Sequence, residues 1–228
     1  AGTLGIGYRV RDWMAANKNL FGALTLQKSV YSIVLLLIVL VAAFTVLATL
    51  VASCMLIAYW GINTWLPTYL MKEQGLPASR MSLYLMVLNV GMFCGYPLHA
   101  WLANRLGKRR ALVASFIVVC IVVPLYASLK SPSAILLLGP VMAIGFAQTG
   151  LMGAYFPELY PTRMRSIGTG FCFNVGRGVA AIAPFGLGQV ASSVGIGRAI
   201  ALCGIGYLVA GLLMLLLPEQ PPHVADDT

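Results

Sequence analysis

Charged side chains are scarce in this 228-residue sequence. They make up 9% of it, whereas a soluble domain averages about a quarter, and hydrophobic residues make up 60%. Only six residues are acidic, and none of them falls inside a long apolar stretch. No soluble fold could bury so much apolar surface, so the composition predicts a protein whose solvent is a lipid bilayer.

The residue patterns of common enzymes are also missing. The apolar stretches hold no pair of acids, and the sequence has no His–Glu metal motif, phosphate-binding loop or Ser/His constellation. The five cysteines form no CxxC pair and have no histidine partner, so we interpret them as small packing residues. We expect neither an enzyme nor a cofactor or metal site. The chain shows no signal peptide and begins Ala-Gly-Thr, and we expect it to be part of something longer.

Charge-free runs long enough to cross a bilayer follow one another along the chain. A spanning helix needs about 20 mostly apolar residues. The runs cover 29–71, 81–104, 111–129, 131–157, 166–197 apart from Arg177, and 199–218. The first run exceeds one span: we expect its helix at 43–69, with 31–42 as a helical extension or an interfacial segment, and a seventh span as the alternative. The predicted fold class is an all-α membrane protein with six transmembrane helices.

The net charge of +9 would suit nucleic acid, but the basic residues sit in short loops, where they set membrane topology. We therefore expect no nucleic-acid partner. One side carries ten basic residues: Arg9, Arg11, Lys18, Lys28, Arg105, Lys108, Arg109, Arg110, Arg163 and Arg165. The other side carries four: Lys72, Arg80, Lys130 and Arg198. The positive-inside rule then predicts an integral protein of the cell membrane with both termini in the cytoplasm.

One charged side chain, Arg177, lies deep inside an apolar run. Charges at this depth are costly, by about 2.5 to more than 10 kcal/mol, and usually face a bundle interior or a watery cavity. Arg177 lies twelve residues beyond Arg165, roughly 18 Å along a helix, which places it near the bilayer midplane. It predicts a site for an anionic ligand. The alternatives are pairing with helix-end carbonyls or with an acid elsewhere.

Helical spacing gives the fifth run two faces. Small or polar residues form one stripe, which we expect toward the bundle interior: Gly170, Asn174, Arg177, Ala181, Pro184 and Gly188. The opposite side suits lipid and carries Cys172, Val175, Val179, Ile182 and Val190. The other runs add midplane polar candidates for the same cavity: Tyr59, Asn63, Asn89 and Gln148. Each of them could equally make an interhelical hydrogen bond. His99 is either structural or a proton carrier.

Two loops carry a family pattern. The first, 104–110, reads Asn-Arg-Leu-Gly-Lys-Arg-Arg and resembles the G-x-x-x-D-R-x-G-R-R signature of the major facilitator superfamily. Ala100 and Asn104 replace its glycine and aspartate, whereas Arg105, Gly107, Lys108 and Arg109 match it. The second, with the span that follows, matches P-E-L-[FY]-P-T-x-x-R-x-x-G-x-G-F-x-x-N-x-G-R over 157–177. This stretch is similar to the sialate and aromatic-acid proton symporters and to the organic anion transporters.

The resemblance implies that this chain is the second half, helices seven to twelve, of a twelve-helix transporter. Residues 1–30 would then be a remnant of the central cytoplasmic loop, 31–217 the six-helix half, and 218–228 a cytoplasmic tail. It further implies secondary transport of a small organic anion, such as a carboxylate, by alternating access, with a separate N-terminal half. Protons are the expected coupling ion, carried by the absent half or by His99, unless no proton carrier exists. The alternatives are a truncated or non-transporting scaffold and a carrier of neutral sugar-like solutes.

The resemblance also implies that charges at the cytoplasmic helix ends pair in one conformational state and separate in another. We expect Arg105 and Glu158 to form this pair, with Arg163 and Arg165 as rival partners. All three arginines would also anchor the topology, whether or not they form such a pair.

Overall fold

The computed structural model describes Trp13 and residues 17–219. The expected lead-in at 1–30 therefore lies partly outside the described residues, and the expected tail at 218–228 almost wholly. Every regular element in the described part of the chain is a helix. The α-helices are α1 Lys18–Lys72, α2 Ala78–Leu106, α3 Lys108–Ser128, α4 Pro132–Phe146, α5 Gln148–Tyr155, α6 Arg165–Ala180, α7 Ala183–Val194 and α8 Ile196–Met214. Two short 3₁₀ turns, Phe156–Leu159 and Thr162–Met164, join α5 to α6.

Six helical segments are long and apolar enough to cross a membrane, which confirms the predicted number. They are α1, α2, α3, the pair α4 and α5 with its 3₁₀ turn, the pair α6 and α7, and α8. The chain is an all-α integral membrane protein. The fourth and fifth spans are each interrupted because the backbone leaves the α-helix at Ala147 and again at 181–182, just before Pro184.

The chain divides into two units, Ala1–Ala43 and Phe44–Thr228. Within the first unit, the helical residues 30–40 are exposed on all sides although every one except Ser32 is apolar or aromatic. Helix α1 is unbroken through 31–42 and is 55 residues long, far more than the ~30 Å hydrocarbon core requires. How 31–42 sits in the membrane stays a prediction. All the candidate site residues lie in the second unit.

The helices of the second unit approach closely where glycine removes a side chain. Helix α2 packs on α4, and α3 packs on α8. A Cβ on Gly91 would lie 2.7 Å from the Pro140 backbone, and one on Gly95 would lie 2.6 Å from Ala147 Cβ. The GxxxG pair that the sequence displays therefore forms the α2–α4 contact, as small residues do in membrane bundles.

A row of aromatic rings runs from the bundle core to Tyr59. Phe116 of α3 contacts Tyr207 of α8 with ring centroids 6.3 Å apart. Tyr207 stacks on Phe146, and Phe146 meets Tyr59 of α1 edge to face at 5.5 Å. Such pairs add about 0.5–1.5 kcal/mol beyond the area that they bury. The row holds α1, α3, α4 and α8 together and fixes the position of Tyr59.

Candidate functional site

Arg177 lies in the last turn of α6, just before the break that separates α6 from α7. A cation is favoured there because the carbonyl end of a helix is the negative end of its dipole. The side chain is exposed, and its guanidinium forms no hydrogen bond or ion pair with any other residue that the structure describes. In this conformation Arg177 therefore does not pair with helix-end carbonyls of the described residues, and its guanidinium remains available to a ligand.

A cavity of about 400 Å³ opens beside Arg177. Helices α1, α2, α5 and α6 each contribute to its wall, which consists of Leu56, Tyr59, Trp60, Met92, Tyr96, Thr149, Gly150, Phe173 and Arg177. A second cavity of about 250 Å³ shares Trp60 and Arg177 and continues to the helix break at Ala181 and Pro184. Among the described residues Arg177 is the only charged one in either wall, and four aromatic rings face the first cavity. The arrangement suits an anion with a flat or apolar body.

The predicted polar wall is only partly brought together. Tyr59 lines the Arg177 cavity and also a small neighbouring one of about 60 Å³, which contains Asn63 and Asn89. The amide nitrogens of these two asparagines donate to carbonyls of their own helices, Asn63 to Tyr59 at 2.9 Å and Asn89 to Leu85 at 2.8 Å. They adjoin the candidate site without facing Arg177.

Gln148 and Asn174 lie elsewhere. Gln148 is fully buried, and neither of its amide atoms has a hydrogen-bond partner among the described residues. Asn174 is exposed and lines none of the cavities described above. The next residue after Gln148, Thr149, lines the Arg177 cavity in its place because the chain leaves the helix at Ala147.

Sequence reasoning missed several residues of the wall: Met92, Tyr96, Thr149 and Phe173. Phe173 had a usable signal, because it precedes Arg177 by four residues and so shares its helix face. Tyr96 and Thr149 had none, since their approach depends on how α2 and α5 pack against the other helices.

Cys172 corrects the expected lipid-facing side of the fifth span. Its side chain is fully buried, and its Sγ lies 3.4 Å from Thr49 Oγ1 and 3.1 Å from the Tyr160 hydroxyl. Burial, with the hydrogen bond to Cys172, raises the pKa of Tyr160 to about 12. The other members of that side, Val175, Val179, Ile182 and Val190, are exposed as expected.

The charges at the loop ends pair differently from the prediction. Lys108 Nζ binds Glu158, whereas the Arg105 guanidinium lies 5.3 Å from the centre of the Trp101 ring on the same helix. Lys108 thus replaces Arg105 as the partner of Glu158 in this conformation. Arg163 is exposed, and Arg165 Nε approaches the Tyr160 carbonyl at 3.4 Å.

Two further basic residues of the first loop hold the end of the last span. Arg109 donates to the Leu217 carbonyl at 2.8 Å, and Arg109 and Arg110 both pair with Glu219. Tyr155 also donates to the Pro218 carbonyl. The loop therefore covers carbonyls that follow the last turn of α8.

Known proteins resemble the chain in both sequence and fold. It is 33% identical over 181 residues to the cis,cis-muconate transport protein of Acinetobacter baylyi, covering 78% of this chain and 43% of that protein. It is 27% identical to a sialic acid transporter of Escherichia coli, covering 79% of this chain and 44% of that one. The crystal structure of PepTSo, a POT family transporter, superposes with a TM-score of 0.70 at 14% identity, covering 81% of this chain and 40% of that one.

The chain spans less than half the length of these curated relatives. Both relatives are transporters, in agreement with the expectation that the chain is no enzyme. The family model of the Major Facilitator Superfamily matches residues 48–228, which include all the walls of the Arg177 cavity. With six membrane-length helices and this match over most of its length, the chain belongs to the Major Facilitator Superfamily.

Proposed function

We propose that the protein carries a small organic anion, a carboxylate, across the cell membrane by alternating access coupled to protons. In this proposal the chain supplies helices seven to twelve, residues 1–30 and 218–228 are cytoplasmic, and a second six-helix half completes the carrier. The observation that carries the proposal is Arg177, an exposed guanidinium with no partner among the described residues, at a cavity of about 400 Å³ within the membrane-spanning part. The named substrates of the relatives, muconate and sialic acid, agree with an anion.

A charged side chain at this depth in a membrane is costly when it has no partner. A guanidinium inside a membrane protein is stabilised when an opposite charge or water reaches it. A carboxylate meets the planar fork of arginine with two parallel hydrogen bonds, which are stronger than bonds between neutral groups. Binding the anion therefore offsets a cost that the empty site carries, and a neutral solute offers no such gain.

The remaining wall favours one kind of anion body over another. Tyr59, Trp60, Tyr96 and Phe173 present ring surfaces, and Thr149 and two tyrosines provide the hydroxyls. Ring faces stack well on flat unsaturated groups. A polyhydroxylated solute would leave many of its own hydroxyls without partners, which costs about 1–3 kcal/mol for each buried group. The cavity thus gives the neutral sugar-like alternative little support.

The ion pair of Lys108 and Glu158 is the proposed state-biasing contact, in place of Arg105 and Glu158. A partly exposed pair contributes only about 0–1 kcal/mol. Two conformations of a carrier differ by similarly small amounts, so a pair formed in one and broken in the other shifts their populations.

Uptake of labelled carboxylates tests the anion site. Cells or proteoliposomes containing the protein are offered an unsaturated dicarboxylate, an aromatic acid and a sugar acid. Arg177→Ala and Arg177→Gln should abolish uptake, because no other charge lines the cavity, and Arg177→Lys should retain part of it. Arg80→Gln, which removes an exposed arginine in the first turn of α2, is the matched control and should transport normally.

Two results would count against the proposal. Uptake by Arg177→Gln at the control rate, with equal amounts of protein in the membrane, would remove Arg177 from the site. No uptake of any of the three acids by the unchanged complete carrier, this chain together with its second six-helix half, would favour the scaffold alternative.

A further inference from the structure

His99 lies in a continuous chain of short hydrogen bonds inside the bundle. The residue is 5% exposed, on α2, and its Nδ1 lies 2.8 Å from the Gly95 carbonyl oxygen. Its Nε2 lies 2.7 Å from Oγ of Ser115, a buried residue of α3. Ser115 Oγ in turn lies 2.8 Å from the Ala111 carbonyl oxygen. The His99 ring thus contacts its own helix through Nδ1 and α3 through Nε2.

The geometry of this chain fits a ring with two protons. A carbonyl oxygen only accepts, so Nδ1 must be the donor to Gly95. In the neutral ring Nε2 then has a lone pair, and it competes with the Ala111 carbonyl for the single hydrogen of the Ser115 hydroxyl. In the cationic ring Nε2 donates to Ser115, whose hydroxyl donates to Ala111. Every short contact is then satisfied at once, and bonds from a charged donor are the stronger kind.

The chain lies beside the anion cavity. His99 lines a cavity of about 370 Å³ that extends to Lys108 at the loop end. Tyr96 and Gly150 line both this cavity and the one that contains Arg177. His99 and Lys108 therefore line one cavity, and Tyr96 and Gly150 separate this cavity from the candidate anion site.

The charged surroundings of His99 are few. Helices α3, α4 and α5 pack against α2, and α4 has no titratable side chain. On α3, Lys108 lines the cavity and pairs with Glu158. Arg109 and Arg110 both pair with Glu219. Cys120 and Tyr126 lie farther along the helix. On α5 the one such group is Tyr155, whose hydroxyl binds the Pro218 carbonyl. On α2 itself Tyr96 lines the cavity and Arg105 lies over Trp101, and Arg80, Tyr84 and Cys94 complete the set.

We propose that His99, hydrogen-bonded to Ser115, is the proton-binding site that couples anion movement to protons. This inference rests on the transport function proposed above. A hydronium ion gives a proton to Ser115 Oγ and leaves as water, while the hydroxyl hydrogen of Ser115 passes to the Nε2 lone pair and the newly received hydrogen is donated to Ala111. Release reverses these steps.

The nearby ion pair gives this site a link to conformation. While Lys108 is paired with Glu158, its charge is compensated, and the cavity tolerates an imidazolium. When the pair separates, an uncompensated cation lines the same cavity and disfavours the proton on His99. Opening of the loop contact and release of the proton therefore favour each other, as two events that share a coupling free energy must.

Titration of the imidazole tests proton binding without any transport. The chain has two histidines, His99 and His223, so His223→Gln leaves His99 as the sole signal in an NMR titration of the purified protein with labelled histidine. The expected result is a reversible change of the His99 ring signals with pH that reports proton binding. Ser115→Ala should alter this response, because the ring then loses the partner of its Nε2. Ring signals that do not respond to pH, or an identical response in Ser115→Ala, would overturn the proposal.

Transport tests the coupling. In proteoliposomes with an inward proton gradient, the unchanged protein and His223→Gln should concentrate the anion above its external level. His99→Gln should let it equilibrate only, a ratio of about one. Normal accumulation by His99→Gln would refute the proposal while leaving the transport function intact. If the unchanged protein moves no anion, the transport function fails and with it the coupling role, whereas the titration still decides whether His99 binds a proton. Should His99→Gln not fold, Ser115→Ala takes its place, with a shifted pH profile as the expected result.

Discussion

The indole N–H of Trp65 donates a hydrogen bond of 2.8 Å to the carbonyl oxygen of Pro184. Trp65 belongs to α1, and Pro184 lies at the start of α7, immediately after the break beyond Arg177. The bond satisfies a carbonyl near an interrupted helix and ties the break to α1. The position of Arg177 at the cavity therefore depends on a contact between two helices that are distant in sequence.

Gly188 tests this contact. A Cβ at Gly188 would lie 2.7 Å from Trp65 Cζ2, so Gly188→Ala must displace the indole or α7. Overpacking of this kind costs about 1–3 kcal/mol. We expect a lower melting temperature in detergent, and weaker anion binding measured by tryptophan fluorescence. Gly186→Ala is the matched control, because nothing lies within 4 Å of its Cβ position. Equal melting temperatures for the two variants would contradict the assigned contact.

The α2–α4 contact gives a second prediction. Gly91→Ala would place a Cβ 2.7 Å from the backbone of Pro140, which cannot turn aside as a side chain can. We expect a loss of about 1–3 kcal/mol in stability. On heating, the variant should therefore lose its monodispersity at a lower temperature than the unchanged protein. Gly153→Ala, which meets nothing within 4 Å, should be neutral or slightly stabilising. A neutral Gly91→Ala would mean that these helices are farther apart.

The span pattern follows from sequence because the bilayer imposes a rule that a sequence can display. About 20 apolar residues are required for each crossing, so charge-free runs locate the spans. Arg177 stands out for the same reason, as a charge that this rule disfavours. The wall around it does not follow from the sequence. Tyr96 and Thr149 face Arg177 only through the packing of α2 and α5, and the break at Ala147 decides that Thr149 rather than Gln148 reaches the cavity.

In this conformation Glu158 pairs with Lys108, whereas the sequence motif led us to expect Arg105. Arg105 and Lys108 lie three residues apart on either side of Gly107, whose φ of +86° turns the chain between α2 and α3. Arg105 lies in the last turn of α2, over the ring of Trp101, which is one helical turn earlier in the sequence. Lys108 begins α3 and points to Glu158. The sequence motif thus located the loop, whereas the turn at Gly107 determines that Lys108 is the residue that reaches Glu158 in this conformation.

A double-mutant cycle on Lys108 and Glu158 tests the proposed state-biasing pair. Lys108→Glu and Glu158→Lys should each reduce uptake, and the double variant should recover part of it because the attraction is restored. The coupling should be about 0–1 kcal/mol, as for other partly exposed pairs. Arg105→Glu combined with Glu158→Lys is the control and should show no such recovery. Recovery in that control instead would return the role to Arg105.

Glu73 gives the last prediction, at the opposite end of the bundle. It follows α1, and its two carboxylate oxygens accept hydrogen bonds from the backbone N–H groups of Ile196 and Gly197, the latter at 2.8 Å. These are the first residues of α8, and Gly195 precedes them with a φ of +92°. A carboxylate at this end of a helix satisfies donors that have no partner within the helix and complements its dipole.

Removing this carboxylate should loosen the start of α8. We expect Glu73→Ala to cost about 1 kcal/mol, as loss of a helix cap does, and Glu73→Gln to cost less because an oxygen acceptor remains. Hydrogen exchange of the Ile196 and Gly197 amides should accelerate most in Glu73→Ala. Lys72→Ala is the control, since its neighbouring exposed side chain makes no contact of this kind in the described structure. Unchanged exchange at both amides in Glu73→Ala would show that water replaces the carboxylate without loss, and that Glu73 does not join α1 to α8.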